Sequence, residues 1–151
     1  MKQKPNADVR NARTPTTPMR SHIMRSVPRE RTEPELVVGK FLSTHGIRFR
    51  SNARSLPGTP DIANKSRKFA VYVHGCFWHR HRGCRRATTP KDNAEFWLNK
   101  FQQNVERDAR KESELRSLGF EVAVVWECEV YDEKRLSRAL ARVLKRAKQA
   151  R

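Results

Sequence analysis

Eleven residues, His74-Gly75-Cys76-Phe77-Trp78-His79-Arg80-His81-Arg82-Gly83-Cys84, constrain this chain more than any other stretch. They hold two of its three cysteines and three of its five histidines. The stretch is polar and reads as a long loop following a strand. Thiolates and imidazoles are ligands for a soft divalent metal. Cys76, His81 and Cys84, joined by the distant Cys128, make three thiols and one imidazole. That set suits tetrahedral zinc with no open position, a structural site rather than a catalytic one. Cys128 follows a buried strand, so the metal would staple the loop to the sheet. His79 competes with His81 for the histidine place, because the spacing C-x4-H-x2-C is not that of a standard finger. Free buried thiols with surface histidines are the plain alternative.

The loop lies in the most positive part of a positive chain. Lys and Arg number 33 against 16 Asp and Glu, a formal charge of +17. Solubility needs far less, so a polyanionic partner is expected. No acid occurs between Asp61 and Asp92, whereas Lys65, Arg67, Lys68, Arg80, Arg82, Arg85, Arg86 and Lys91 do. A phosphate backbone is expected to lie there. No apolar run approaches the ~20 residues of a membrane span, and no signal-peptide pattern begins the chain. An odd number of cysteines favours metal binding or free thiols over disulfides.

Residues 1–19 carry three prolines and almost no apolar side chain, and are expected to form a mobile basic arm. Residues 20–151 are expected to form one domain. A short helix is expected from Arg20 to Val27. Thr32-Glu33-Pro34-Glu35 reads as a capping box opening a helix, with Leu36, Val38, Phe41 and Leu42 as its apolar stripe and Gly46 as its stop. Ile47–Ser51 alternates like a half-buried strand. Leu56–Pro60 is a turn, and two short strands follow at Asp61–Asn64 and Phe69–His74. Asp92 or Asn93 caps a long helix reaching about Leu118. Phe120–Trp126 is a buried strand, and Asp132 caps a last helix with Leu136, Leu140, Val143 and Leu144 on one face. The order α-β-β-β-α-β-α, with a parallel crossover between the last two strands, predicts a small α/β sandwich around a mixed sheet.

Three kinds of side chain remain. In the long helix, Trp97, Phe101, Val105, Asp108, Glu112 and Leu115 are expected on one stripe. A carboxylate inside such a stripe needs a partner. Asp108 either orients an active-site histidine or makes a structural salt bridge. Asp61 after Pro60 reads first as a turn residue, and Glu35 as a capping residue. Phe77 and Trp78, interleaved with arginines, and Trp97 nearby could stack on bases or wedge into a base step; covering the metal site is the alternative. Met24, between Arg20 and Arg25, is a weaker wedge candidate.

Taken together, His74–His79, Glu95-Phe96-Trp97, Asn104-Val105-Glu106-Arg107-Asp108, Val125-Trp126-Glu127-Cys128, Met24-Arg25 and Leu56–Asp61 resemble the very short patch repair (Vsr) DNA mismatch endonucleases over about residues 18–130. The resemblance implies a restriction-endonuclease-like fold, a mixed β-sheet flanked by helices with a structural zinc site. It implies an enzyme that nicks duplex DNA 5′ of the T in a T·G mismatch, a product of 5-methylcytosine deamination. By the same resemblance Asp61 is a Mg²⁺ ligand, with the backbone carbonyl of Val73 as a second contact. His79 is the general base and Asp108 its orienting carboxylate, with His74 and Glu35 at further active-site positions. Cys76, His81, Cys84 and Cys128 take the zinc, and Phe77, Trp78, Trp97 and Met24 wedge beside the mismatch. Two departures stand out. Val73 replaces a frequent Thr, and two residues rather than one separate His81 from Cys84. The expected protein is a cytoplasmic, nucleoid-associated monomer, with T·G-containing duplex as substrate and downstream repair proteins as further partners. A zinc-dependent DNA-binding protein without activity, and a restriction-type nuclease on matched DNA, are the alternatives.

Overall fold

The computed structural model of the chain describes residues 30–149. The basic arm expected over residues 1–19, the helix expected from Arg20 to Val27, and Met24 lie outside the described residues. Those described form, in order, α1 (Glu33–Thr44), β1 (Arg50–Ser51), β2 (Ile62–Asn64), β3 (Phe69–His74), α2 (Ala94–Ser117), β4 (Glu121–Trp126), a 3₁₀ turn at Glu127–Glu129, and α3 (Glu133–Gln149). The sheet runs β1-β2-β3-β4. Its first two pairings are antiparallel and its third is parallel. This is the expected mixed sheet, with α2 as the connection between the parallel pair. Among the described residues no helix is long and apolar enough to cross a membrane.

Strand alternation sorts the core into two layers. Ile62, Phe69, Val71, Ala123 and Val125 face α1 and α3, where they meet Val38, Leu42, Leu136, Leu140 and Val143. Ala63, Ala70, Tyr72 and Val122 face the other way, toward Leu115 of α2 and Phe120. The same parity carries His74 and Trp126, register partners at the ends of β3 and β4, onto the α2 side. Asp61, one residue before β2, has the parity of Ala63. The helix that carries Asp108 therefore packs on the sheet face that presents Asp61 and His74.

Four local expectations need correction. β1 is two residues long rather than five, because its partner β2 has only three. Ahead of it the Asn64 side-chain amide, not a ladder bond, takes the Arg48 carbonyl at 2.9 Å. On α1, Leu36 is 54% exposed, since the buried face is set by Val38, Gly39 and Leu42. Val105 of α2 is exposed and Asn104 takes the inward place. The capping box is rearranged: the Glu35 carboxylate accepts from the Arg31 N–H at 2.8 Å and the Thr32 hydroxyl at 3.0 Å, leaving that hydroxyl off the helix N–H groups. Asn93 stands at the N-cap position of α2 in the left-handed region, φ 56, without a side-chain bond to the helix N–H groups. Asp132 caps α3, its carboxylate accepting from the Arg135 N–H at 3.1 Å.

Candidate active site and metal centre

The loop after β3 is a chain of tight turns. The N–H of His79 bonds the Gly75 carbonyl, that of His81 the Cys76 carbonyl, and that of Cys84 the His81 carbonyl. Arg80 sits between the two histidines in the left-handed region, φ 58. Its guanidinium ties the loop to itself through the Ala87 and Thr88 carbonyls and lies 4.1 Å over the Phe101 ring of α2. With Arg80 so held, His79 and His81 go to opposite destinations.

His81 joins the cysteines. Its Nδ1 lies 3.3 Å from the Cys128 sulfur and 3.6 Å from the Cys76 sulfur. Cys76, His81, Cys84 and Cys128 bring one ligand atom each within 4.8 Å of one another. The His81 ring stacks on Trp126 at 4.3 Å. Beneath the cluster the Cys76 N–H donates to Glu127 at 3.3 Å, and Arg86 pairs with the same carboxylate at 2.7 Å. Burial pushes the Cys76 thiol up to about 12, while a hydrogen bond from the Arg86 backbone holds Cys84 below its usual value. Three crowded thiols with one imidazole form a donor set that a soft divalent ion satisfies by displacing the thiol protons.

His79 goes to α2. Its Nδ1 is 2.5 Å from Asp108 Oδ2, and its ring stacks on His74 at 4.0 Å with the planes 7° apart. Burial raises the Asp108 pKa, but the His79 hydrogen bond and the neighbouring positive charges outweigh it, leaving the group below the usual carboxylate value. His74 is pushed down to about 3 by burial, then by His79 and Lys111, so its ring is neutral at pH 7. His74, His79 and Asp108 also bring ligand atoms within 4.8 Å. The short His79–Asp108 bond makes them an oriented imidazole first.

Asp61 completes this side. Its Oδ2 accepts from the Val73 N–H at 2.7 Å. Burial raises its pKa to about 6, the Val73 N–H opposes that, and the Glu35 charge adds to it; His79 and Lys111 oppose it as well. Asp61, Glu35, His79, Asp108 and His74 thus share one electrostatic neighbourhood. The loop bearing Asp61 packs hard on α2. Gly58, at φ 71, leaves room where a Cβ would meet Lys111 Cβ and the Tyr72 hydroxyl, each at 2.7 Å. That hydroxyl is buried and has no hydrogen-bond partner among the described residues.

The aromatics pack together at the outer end. Phe77 and Trp78 are half-buried, while Trp97 is 7% exposed. Phe77 lies edge-on to Trp78 at 5.1 Å and to Phe101 at 5.2 Å, and Trp78 lies 5.9 Å from Trp97. Three residues with a place in this architecture had no role assigned from sequence. Asn104 donates to the Trp78 carbonyl at 3.0 Å and accepts from Arg107 at 2.9 Å. Glu127 braces the thiol loop, and Lys111 lies beside Asp61 and His74. Asn104 and Lys111 are four residues before and three after Asp108, so helical spacing around an inward carboxylate was the signal for both.

The chain is similar to known proteins over much of its length. The family profile described as DNA mismatch endonuclease Vsr matches residues 13–86. The type II nicking enzyme V.NmeAIP of Neisseria meningitidis serogroup A is 42% identical over 135 residues, 89% of this chain and 96% of its own length. V.XorIIP of Xanthomonas oryzae pv. oryzae, also a type II nicking enzyme, is 44% identical over 125 residues, 83% of this chain and 91% of that protein. The DNA mismatch endonuclease Vsr of Escherichia coli is 39% identical over 118 residues, 78% of this chain and 75% of that one.

Proposed function

Because the chain belongs to the Vsr family of DNA mismatch endonucleases, we propose that it nicks duplex DNA on the 5′ side of the T in a T·G mismatch. Membership makes it a DNA endonuclease with nicking enzymes among its relatives. The mismatch preference, the metals and a restriction-endonuclease-like fold go further. One observation carries the catalytic reading: Asp108 holds the His79 imidazole at 2.5 Å, within electrostatic range of the half-buried carboxylate of Asp61.

With Nδ1 engaged by Asp108, His79 has Nε2 left to take a proton from water. Asp108 also favours the imidazolium that forms. Neutral His74 supports the ring from its stacked face without adding a competing charge. Mg²⁺ fits the remaining groups, because it takes oxygen ligands from one or two carboxylates and completes its shell with water and substrate phosphate. Asp61 would hold it, a half-buried carboxylate that a cation would favour in its charged form. Val73 directs its N–H at Asp61, and the N–H and C=O of one residue in an extended strand point to the same side. That supports the Val73 carbonyl as a second oxygen. Glu35 is a further carboxylate in reach of the same field. Bound there, Mg²⁺ supplies charge stabilisation at the scissile phosphate and leaving oxygen.

Zinc fits Cys76, His81, Cys84 and Cys128, where it would fix the loop that carries His79. Phe77 and Trp78 are the wedge that would enter the mismatched step, with Trp97 behind them and Met24 as the fourth member. A wobble pair stacks less well than a Watson–Crick pair, so opening it costs less, and that difference contributes selectivity.

The test is a labelled duplex containing one T·G pair, set beside its matched counterpart over a panel of flanking sequences. A Mg²⁺-dependent nick on the T strand is expected. Equal cutting of matched duplex would make the protein a restriction-type nuclease instead. Binding without nicking in every context would leave only a DNA-binding protein.

A further inference from the structure

The edge of the sheet carries a basic feature that the catalytic reading does not use. β1 is an edge strand. An open cleft of about 700 Å³ runs beside it, and Arg48, Arg50, Arg54 and Lys65 line it with no carboxylate among the lining residues. Arg54 is held by Glu30 at 2.8 Å. Among the described residues, no acid forms an ion pair with Arg48, Arg50 or Lys65. Charge on an edge strand also guards against edge-to-edge pairing. That protection requires neither a concave lining nor a connection to a catalytic carboxylate, and this cleft has both.

The connection is covalently short and hydrogen-bonded. Asn52, within the cleft wall, donates its N–H to the Asp61 carbonyl at 2.8 Å, and Ala53 donates to the Pro60 carbonyl at 3.0 Å. From Asn52 back to Arg48 is four residues, at most about 13 Å at ~3.3 Å per residue. That is the axial rise of roughly four base pairs at ~3.4 Å each. A cationic cleft of that reach, beginning beside Asp61, matches a strand of phosphates leaving the cut site. A basic peptide would be repelled from it.

We propose that this cleft is a phosphate track, in which Arg48, Arg50 and Lys65 hold the sugar-phosphate backbone of the duplex flanking the nick. The inference rests on the endonuclease reading for its substrate, but it is read out by binding alone.

The test compares the full chain with a combined Arg48→Ala/Arg50→Ala/Lys65→Ala variant on the T·G duplex, with affinity measured against salt concentration. Each phosphate contact contributes about 0.9 to the slope of log K against log salt. The variant is therefore expected to lose about 2 to 3 from that slope. Arg48→Lys/Arg50→Lys, which keeps the charge, is expected to retain the slope. Trimming the duplex on one side of the mismatch should bring the parent protein down to the variant's slope, and trimming the other side should not. An unchanged slope in the triple variant overturns the track even if nicking proceeds normally. A parent protein that shows the slope and its one-sided dependence yet never nicks would overturn the endonuclease reading and leave the track standing.

Discussion

His79 and His81 stand two residues apart in one loop and belong to two different centres. Each ring lies flat on an aromatic ring at the end of a strand: His79 on His74, at 7° between planes, and His81 on Trp126, at 8°. His74 and Trp126 are themselves register partners on the parallel strands β3 and β4. The sheet end therefore sets both centres at once. Around His81 the donors are sulfur, crowded and facing each other. Around His79 stand the His74 ring and the Asp108 carboxylate, and the outer nitrogen of the ring is left for something else. On the proposed function the first centre holds a metal and the second does the chemistry, so the difference makes the first the frame for the second.

The sharpest break of that comparison is Cys128→Ser, which removes the ligand farthest in sequence. We expect the purified protein to lose its bound metal and several kcal/mol of stability, with nicking lost as well; metal content per chain and thermal unfolding measure this. A variant that kept a full equivalent of metal would show that the sulfur centre is not the frame. Next comes His79→Ala, predicted to lower single-turnover nicking by about 10²–10⁴-fold while metal content and unfolding temperature stay at parental values. If the zinc content fell too, the two centres would not be separable in the way described.

The third test uses pH. Asp61 titrates near about 6 in the folded chain, against 3.8 ordinarily. Between those values the folded state binds more protons than the unfolded one, so this group's contribution to metal-free stability falls as pH rises from about 4 to 6. Mg²⁺ should favour the charged form and offset that loss. The Mg²⁺ concentration giving half-maximal nicking is expected to fall as pH rises through about 6, then level off. A requirement that did not vary across this window would remove Asp61 from the metal site. The smallest effect is expected from Asn104→Ala, which leaves the Trp78 carbonyl without its donor. Nicking should drop about tenfold, equivalent to ~1.4 kcal/mol, with bound metal retained. No change would mean that the loop's position rests on the sulfur centre alone.

Much of this arrangement was legible in the sequence where apolar patterning is dense. β3 and β4 are runs of Val, Ala and aromatic residues, and their bounds follow from that pattern to within a residue. β1 was not legible, because alternation at Ile47–Ser51 reports half-burial but says nothing about how long the partner strand is. The stripe of α2 was misread at one position for a related reason. Hydrophobicity favours Val105 facing inward, yet the carbonyl of Trp78 needs a donor and Asn104 supplies it. The choice between His79 and His81 could not be made from spacing at all. It depends on which strand end each ring rests against, a fact of the sheet rather than of the loop.

Gly58 sits where the segment carrying Asp61 meets the helix carrying Asp108, and a single methyl group there would strike Lys111 and Tyr72. The separation between the carboxylate assigned to the cation and the carboxylate assigned to the base is thus gauged by a hydrogen atom. A bulkier residue would act as a shim, prying apart two jaws whose own teeth are unaltered. Enzymes of this design can lose their alignment through a position that carries no reacting group.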